Sequence, residues 1–321
     1  MTTGLKMNAD KIAVVFPGQG SQRAGMGKDF YDEIPVSRHT YEEAADTLGW
    51  DVAALCFSDD PKLNLTEYTQ PCIVTTEIAM LRGLAERFGF APSYFGGHSL
   101  GEFSALVAAG VFQLSETVKI VQARGKLMQD AVPVGVGGMA AVISEEIDIN
   151  KLKQLIFDLP VDVANINSAN QVVISGKISA LPDVEKRLTE ALAGGKPFRF
   201  VQLNVSAPFH SRFMQLIEDH FSKVLLDKAK NIKPENAPQV TSNYTGGFHP
   251  ASAMQIRENL VKQLSNTVKW CDNMRTLADK TKNIYEIGPG RPLRDFFKTI
   301  GVTCTSITGW AAAQKTFAAG D

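Results

Sequence analysis

Gly97-His98-Ser99-Leu100-Gly101 is the stretch from which the rest of the chain is read. The run Ser93-Tyr94-Phe95-Gly96 before it suits the end of a strand. Glu102-Phe103-Ser104-Ala105-Leu106-Val107-Ala108-Ala109 after it suits a helix. Strand, sharp turn and helix is the setting in which G-x-S-x-G works as a nucleophile elbow. Glycines flank the serine because a side chain would clash in so tight a turn. The hydroxyl is then lifted to a helix N-terminus, where backbone N–H groups and the helix dipole favour a developing negative charge. The plainer alternative is a glycine-rich turn carrying an ordinary serine, since short motifs also arise by chance.

Upstream, Ile12-Ala13-Val14-Val15-Phe16 is a continuous apolar run, as expected of a strand buried on both faces. It breaks at Pro17-Gly18-Gln19-Gly20-Ser21-Gln22, a ligand-facing loop or a plain turn. That loop lacks G-x-G-x-x-G and Walker A spacing, which argues against nucleotide binding. Residues 37–48 and 77–88 read as helices, the second with Ile78, Leu81, Leu84 and Ala85 on one face. Downstream of the elbow, its helix ends near Gly110. Residues 115–130 form the next helix, with Ser115 as its N-cap and Pro133 closing it. Ile120, Arg124 and Leu127 share a stripe there, which puts a guanidinium on an apolar face. A buried guanidinium needs a carboxylate or several acceptors. Arg124 is therefore a structural ion-pair member, a snorkelling side chain, or a fixed cation awaiting an anionic substrate, whose carboxylate its planar fork suits.

The pattern changes between residues 138 and 203. A strand (139–143), a helix (149–157), a hairpin (161–166 and 171–175 around Asn167-Ser168-Ala169-Asn170), a helix (179–192, ended by Gly194-Gly195) and a strand (198–203) follow in turn. That βαββαβ order is the ferredoxin-like split unit. Residues 134–205 are thus read as a small domain inserted into a larger one made of 1–133 and 206–321. Then comes Ser206-Ala207-Pro208-Phe209-His210-Ser211, and a helix with Phe213, Leu216, Ile217 and Phe221 inward. His98 lies inside the elbow, and His39, His220 and His249 fall in polar or helix-surface surroundings. By elimination His210 is the best general-base candidate, against the alternative of a helix-start histidine with a satisfied ring. Residues 258–270 read as a helix, 284–287 as a strand broken by Gly288-Pro289-Gly290, and 293–300 as a helix. The tail after Gly301 is weakly patterned and expected to fray.

Of 321 residues, 44% are hydrophobic and 21% charged, and the formal net charge is -1. Bulk electrostatics therefore favour neither a nucleic-acid binder nor a membrane-surface protein. Cys56, Cys72, Cys271 and Cys304 form no C-x-x-C and read as reduced, mostly buried thiols. There is no metal-ligand cluster, no apolar run near the roughly 20 residues of a membrane span, and no secretory pattern in residues 1–10. The expectation is a cytoplasmic protein.

Phe16-Pro17-Gly18-Gln19-Gly20-Ser21-Gln22, Gly97-His98-Ser99-Leu100-Gly101-Glu102, Arg124-Gly125-Lys126-Leu127-Met128-Gln129, Asn165-Ile166-Asn167-Ser168, Phe209-His210-Ser211 and Glu286-Ile287-Gly288-Pro289-Gly290 occur in this order. Jointly they resemble the malonyl-CoA:acyl-carrier-protein transacylase family, from about residue 12 to residue 300. Residues 102–106 and 207–214 look most like the free-standing acyltransferases that serve polyketide synthases in trans, and the transacylases of fatty acid synthesis look similar.

The resemblance implies an α/β-hydrolase-like core with the ferredoxin-like insertion. It implies Ser99 as nucleophile, His210 as base, the Gln263 backbone carbonyl orienting that base, and the N–H groups of Gln19 and Leu100 as oxyanion hole. It further implies Arg124 holding the malonyl carboxylate and Phe209 favouring malonyl over branched units. Met128 would line the acyl site, and Asn167 and Arg199 would lie near the entrance. No bound cofactor is implied: malonyl-CoA is the donor and the phosphopantetheine thiol of an acidic acyl carrier protein the acceptor, met transiently by a monomer. Lys126, Lys177, Lys196 and Arg199 are candidates for a basic strip facing that carrier. Two rivals share the scaffold: an acyl hydrolase clearing carrier proteins, which has no need of a carboxylate clamp, and a non-catalytic docking scaffold, which has no need of both serine and histidine.

Overall fold

The apolar run near the start forms β1 (Ile12–Phe16), an interior strand of the larger sheet. The computed structural model describes residues 11–191, 197–205 and 207–317. Helices α1 (Lys28–Glu33), α2 (Pro35–Leu48), α3 (Val52–Phe57) and α4 (Thr66–Phe88) follow. β2 (Tyr94–Gly97) enters the elbow and α5 (Gly101–Ala108) leaves it. After α6 (Leu114–Asp130) come β3 (Gly137–Ser144), α7 (Ile149–Ile156), β4 (Val161–Ser168), β5 (Gln171–Lys177), α8 (Leu181–Ala191) and β6 (Phe198–Gln202). Then come α9 (Glu218–Lys228), α10 (Ala253–Ser265), α11 (Trp270–Ala278), β7 (Asn283–Ile287), α12 (Pro292–Lys298), β8 (Cys304–Ile307) and α13 (Trp310–Phe317).

Two sheets result. The first is parallel, in the order β2-β1-β7-β8. Residues along a strand alternate sides, so Val14 and Phe16 enter one core and Ala13 and Val15 another, the second built around Trp270, Met274, Leu277 and Phe297. Helices cover both faces, which explains why β1 is apolar throughout. The second sheet is antiparallel, in the order β4-β5-β3-β6, with the expected βαββαβ chain order. Ala140, Val142, Val172 and Ile174 pack on α7 and α8, while Met139, Ala141 and Val173 face the main core. The fold is thus α/β-hydrolase-like with a ferredoxin-like unit. Backbone bonds Ile166 N–H to Val268 O (2.9 Å) and Val268 N–H to Ala164 O (2.8 Å) tie the two together.

Several expectations need correction. The helix read as 77–88 begins at Thr66 and runs through Pro71. Its first half is rich in β-branched residues, poor helix formers, and burial on nearly all sides overrides that propensity. Ala85 is exposed, not on the buried face. The N-cap of α6 is Gln113 rather than Ser115. The helix read as 258–270 is α10, which ends at Ser265; Trp270 opens α11. Residues 212–217 form a 3-10 turn before α9, so Met214 is buried in place of Leu216, which is 71% exposed. The tail is ordered through Phe317: β8 pairs with β7, and Trp310 and Phe317 meet Phe88 in tilted ring contacts. Gly194-Gly195, Lys196, Ser206 and residues 1–10 lie outside the described residues.

Candidate active site

The elbow is built by close approach. A Cβ on Gly97 would sit 1.9 Å from the Gly101 carbonyl carbon, and one on Gly18 2.5 Å from His98 O. Both neighbours are backbone and cannot yield. Gly97→Ala is therefore expected to lower stability by about 3 kcal/mol or more, read as a fall of several degrees in Tm; an unchanged melt would contradict this geometry. Asn243 pins the turn from outside: its Oδ1 accepts from Ser99 N–H (2.6 Å) and its Nδ2 donates to Gly97 O (2.7 Å).

Among the described residues, Ser99 (φ 52°) and His210 (φ 56°) are the non-glycine residues with positive φ. Each such residue costs on the order of 1–3 kcal/mol and persists where surrounding contacts over-determine it. The two strained residues face each other: Ser99 Oγ lies 2.7 Å from His210 Nε2. His210 Nδ1 donates to Gln263 O at 2.7 Å, which leaves Nε2 to accept the serine proton. Burial, then the Arg124 charge, push the His210 pKa down from 6.5 to about 3. A neutral imidazole is the form able to take a proton. Since kcat/KM reports the free enzyme, it should stay level as pH falls from about 8 to about 5; an acid limb centred near 6.5 would contradict the burial of this base.

Arg124 is 1% exposed. Nη1 donates to Gln70 Oε1 (2.9 Å) and Nη2 to Gln263 Oε1 (2.9 Å), while Nη2 stands 3.4 Å from Ser99 Oγ. Its Cζ lies 5.4 Å from the Phe103 ring centroid. Two neutral amides hold it, and no carboxylate among the described residues lies within salt-bridge distance of it. Burial lowers its pKa to about 10, with Glu102 opposing, so it stays charged at neutral pH. This placement is neither an ion pair with a protein acid nor a side chain snorkelling to the surface.

These groups lie on a cavity of about 1010 Å3 between the two sheets. Gln19, Leu100, Met128, Phe209, Asn167 and Arg199 all line it. Neither the Gln19 N–H nor the Leu100 N–H donates to a protein acceptor among the described residues. Asn167 Oδ1 bonds His98 Nε2 (2.8 Å), and its Nδ2 donates to Gln171 (2.9 Å). Arg199 is exposed on β6 at the cavity rim. Of the basic strip, Lys126 pairs with Asp130 (3.3 Å), and neither it nor Lys177 lines the cavity. No group of three or more His, Cys, Asp or Glu among the described residues could hold a metal.

Residues 13–289 match the acyl transferase domain family. Malonyl CoA-acyl carrier protein transacylase of Bacillus subtilis (strain 168) is 38% identical over 297 residues, covering 90% of each chain. This chain belongs to the malonyl-CoA:acyl-carrier-protein transacylase family. The transacylase of Escherichia coli (strain K12) is 38% identical over 301 residues, covering 92% of this chain and 94% of that one. Among solved structures, the transacylase from Clostridium perfringens superposes with a TM-score of 0.87 at 33% identity, covering 96% of both chains. A malonyl-transacylase in complex with a type II polyketide synthase acyl-carrier protein does so with 0.87 at 34% identity, covering 97% of this chain and all of that one.

In this transacylase chain the sequence reading missed several side chains. Gln70 and the Gln263 side chain hold Arg124, and Asn243 holds the elbow. His249, expected in polar or helix-surface surroundings, does meet polar partners but is 2% exposed, with Nε2 2.8 Å from Glu102 Oε1. Nothing local marks these residues. Each is a polar residue whose burial depends on elements far away in sequence.

Proposed function

We propose that this enzyme transfers a malonyl group from CoA to the phosphopantetheine thiol of an acyl carrier protein, in fatty acid or polyketide synthesis, through a malonyl-Ser99 ester. The observation that carries the reading is the meeting of Ser99 Oγ, His210 Nε2 at 2.7 Å and Arg124 Nη2 at 3.4 Å in one cavity. An activated hydroxyl calls for an acyl group, and an unpaired guanidinium beside it calls for an acyl group with a far-end carboxylate.

His210 takes the Ser99 proton as Oγ attacks the thioester carbonyl. The Gln19 and Leu100 N–H groups receive the oxyanion, each worth about 3–4 kcal/mol in comparable sites. The C–S bond breaks, and the proton on His210 goes to the departing CoA sulfur. The carrier thiol enters, gives its proton to His210 and attacks the ester; the C–O bond to Ser99 breaks and His210 returns the proton to Oγ. Arg124 selects the diacid and holds its chain in one pose. Phe209 and Met128 bound the acyl end, and Asn167 and Arg199 stand toward the entrance. The chemistry needs no bound cofactor. Residues 134–205 act as an inserted domain roofing the cavity, an assignment supported by their separate core. No helix among the described residues is long and apolar enough to cross a membrane; the reading places the enzyme in the cytoplasm as a monomer meeting an acidic carrier transiently.

The test is radiolabelled malonyl-CoA with and without holo-carrier protein. Carrier loading should outrun release of free malonate. Malonate release outrunning loading would make the chain a hydrolase.

A further inference from the structure

Gln263 joins all three groups of the site. Its carbonyl oxygen accepts from His210, its Oε1 accepts from Arg124, and its Nε2 donates to Ser99 O at 3.0 Å. A side-chain amide is nearly symmetric in shape, so its neighbours decide which end faces which way. Two acceptors hold the Nε2 end, and the nearer and charged one is Glu102, whose Oε2 accepts at 2.7 Å against 3.0 Å for Ser99 O. Glu102 has no accessible surface. Its Oε2 also accepts from Asn243 N–H (3.0 Å), and its Oε1 accepts from His249 Nε2 (2.8 Å). Asn259 Nδ2 lies 3.3 Å from His249 Nδ1, which leaves the Nε2 proton for Glu102. Carboxylate, amide and guanidinium therefore stand in line, and the two buried charges balance without touching.

We propose that Glu102, held by His249, is a positioning residue for diacid selection: it locks the Gln263 amide oxygen toward Arg124 and so keeps the guanidinium's outer N–H edge aimed at the acyl pocket. This rests on the reading of Arg124 given above. A direct pair between Glu102 and Arg124 would use up the fork that the substrate carboxylate needs. The amide between them passes on the attraction and leaves the outer edge free. With glutamine at 102 the amide oxygen must stay where the Asn243 N–H donates, so Gln263 Nε2 meets a neutral acceptor in place of a carboxylate and the new NH2 faces the His249 N–H. The hold on the Gln263 amide weakens, the charge behind it is gone, and the seat of the guanidinium loosens. A neutral acyl chain makes no use of that fork.

The test compares kcat/KM for malonyl-CoA and acetyl-CoA, with one holo-carrier protein, in Glu102→Gln and wild type. The malonyl-to-acetyl ratio should fall about tenfold, the size of one charge-assisted hydrogen bond, with acetyl transfer changed less than about threefold. Labelling of Ser99 by an uncharged fluorophosphonate should keep its wild-type rate, because the Gln263 carbonyl stays in α10. His249→Gln leaves Glu102 charged but loosens it; a fall of roughly threefold is expected, and this variant decides if Glu102→Gln does not fold. An unchanged ratio overturns the proposal, as does equal loss of both donors, which marks a structural role. A raised ratio also overturns it, since Glu102 would then act only as a counter-charge weakening carboxylate capture. Wild type without preference for malonyl-CoA overturns instead the reading of Arg124 on which the proposal stands.

Discussion

Arg124→Ala is expected to lower kcat/KM for malonyl-CoA by about 100- to 1,000-fold while acetyl-CoA holds or improves. Truncating one partner of a buried, hydrogen-bonded charge pair costs about 2–5 kcal/mol, and about 1.4 kcal/mol is a factor of ten. The guanidinium is seated on two neutral amides, Gln70 and Gln263, and lies 3.4 Å from the serine oxygen, which under the proposed function leaves its charge for the substrate carboxylate. Acetyl has no carboxylate to lose, and removal of an unpaired cation eases entry of a neutral methyl. Lysine is no substitute, because a point charge cannot bridge two amides and still offer a second edge. A donor panel read by steady-state kinetics, with a thermal melt alongside, checks this. Equal loss of malonyl and acetyl transfer would make Arg124 structural.

Ser99→Ala is expected to abolish acyl-enzyme formation and to reduce transfer by about 10,000-fold or more, as removal of a nucleophile does elsewhere. The left-handed backbone at 99 is kept by alanine at the same strain that serine already bears. His210 keeps its bond to Gln263 O. The variant should therefore fold with a near-normal melt and bind malonyl-CoA through Arg124 without reacting. Residual acylation at another residue would show that the elbow serine is not the nucleophile.

Features fixed by local pattern were legible in the sequence. β1 is apolar at every position because helices cover both its faces, and the second sheet announced itself by strand and helix order. Ser99 sat in its elbow, and Arg124 on an apolar stripe, where burial demanded an explanation. What escaped depends on tertiary context. The first half of α4 is a poor helix sequence held helical by packing. β8 is a four-residue edge strand that exists because β7 offers it a ladder, and α13 is anchored by rings far away in sequence, such as Phe88. His249 reads as a residue in polar or helix-surface surroundings, and its burial escapes because its partner, Glu102, lies 147 positions away. The Gln263 side chain was invisible for the same reason: its backbone role follows from resemblance, but its hold on Arg124 follows only from the folded geometry.

The most direct test of the central claim is peptide mass spectrometry of the wild-type protein after brief exposure to malonyl-CoA, with and without subsequent holo-carrier protein. One malonyl group on the peptide containing Ser99, removed when the carrier is added and recovered on its phosphopantetheine thiol, is the predicted result. An unmodified Ser99 peptide, or a malonyl ester that the carrier does not discharge, would contradict it.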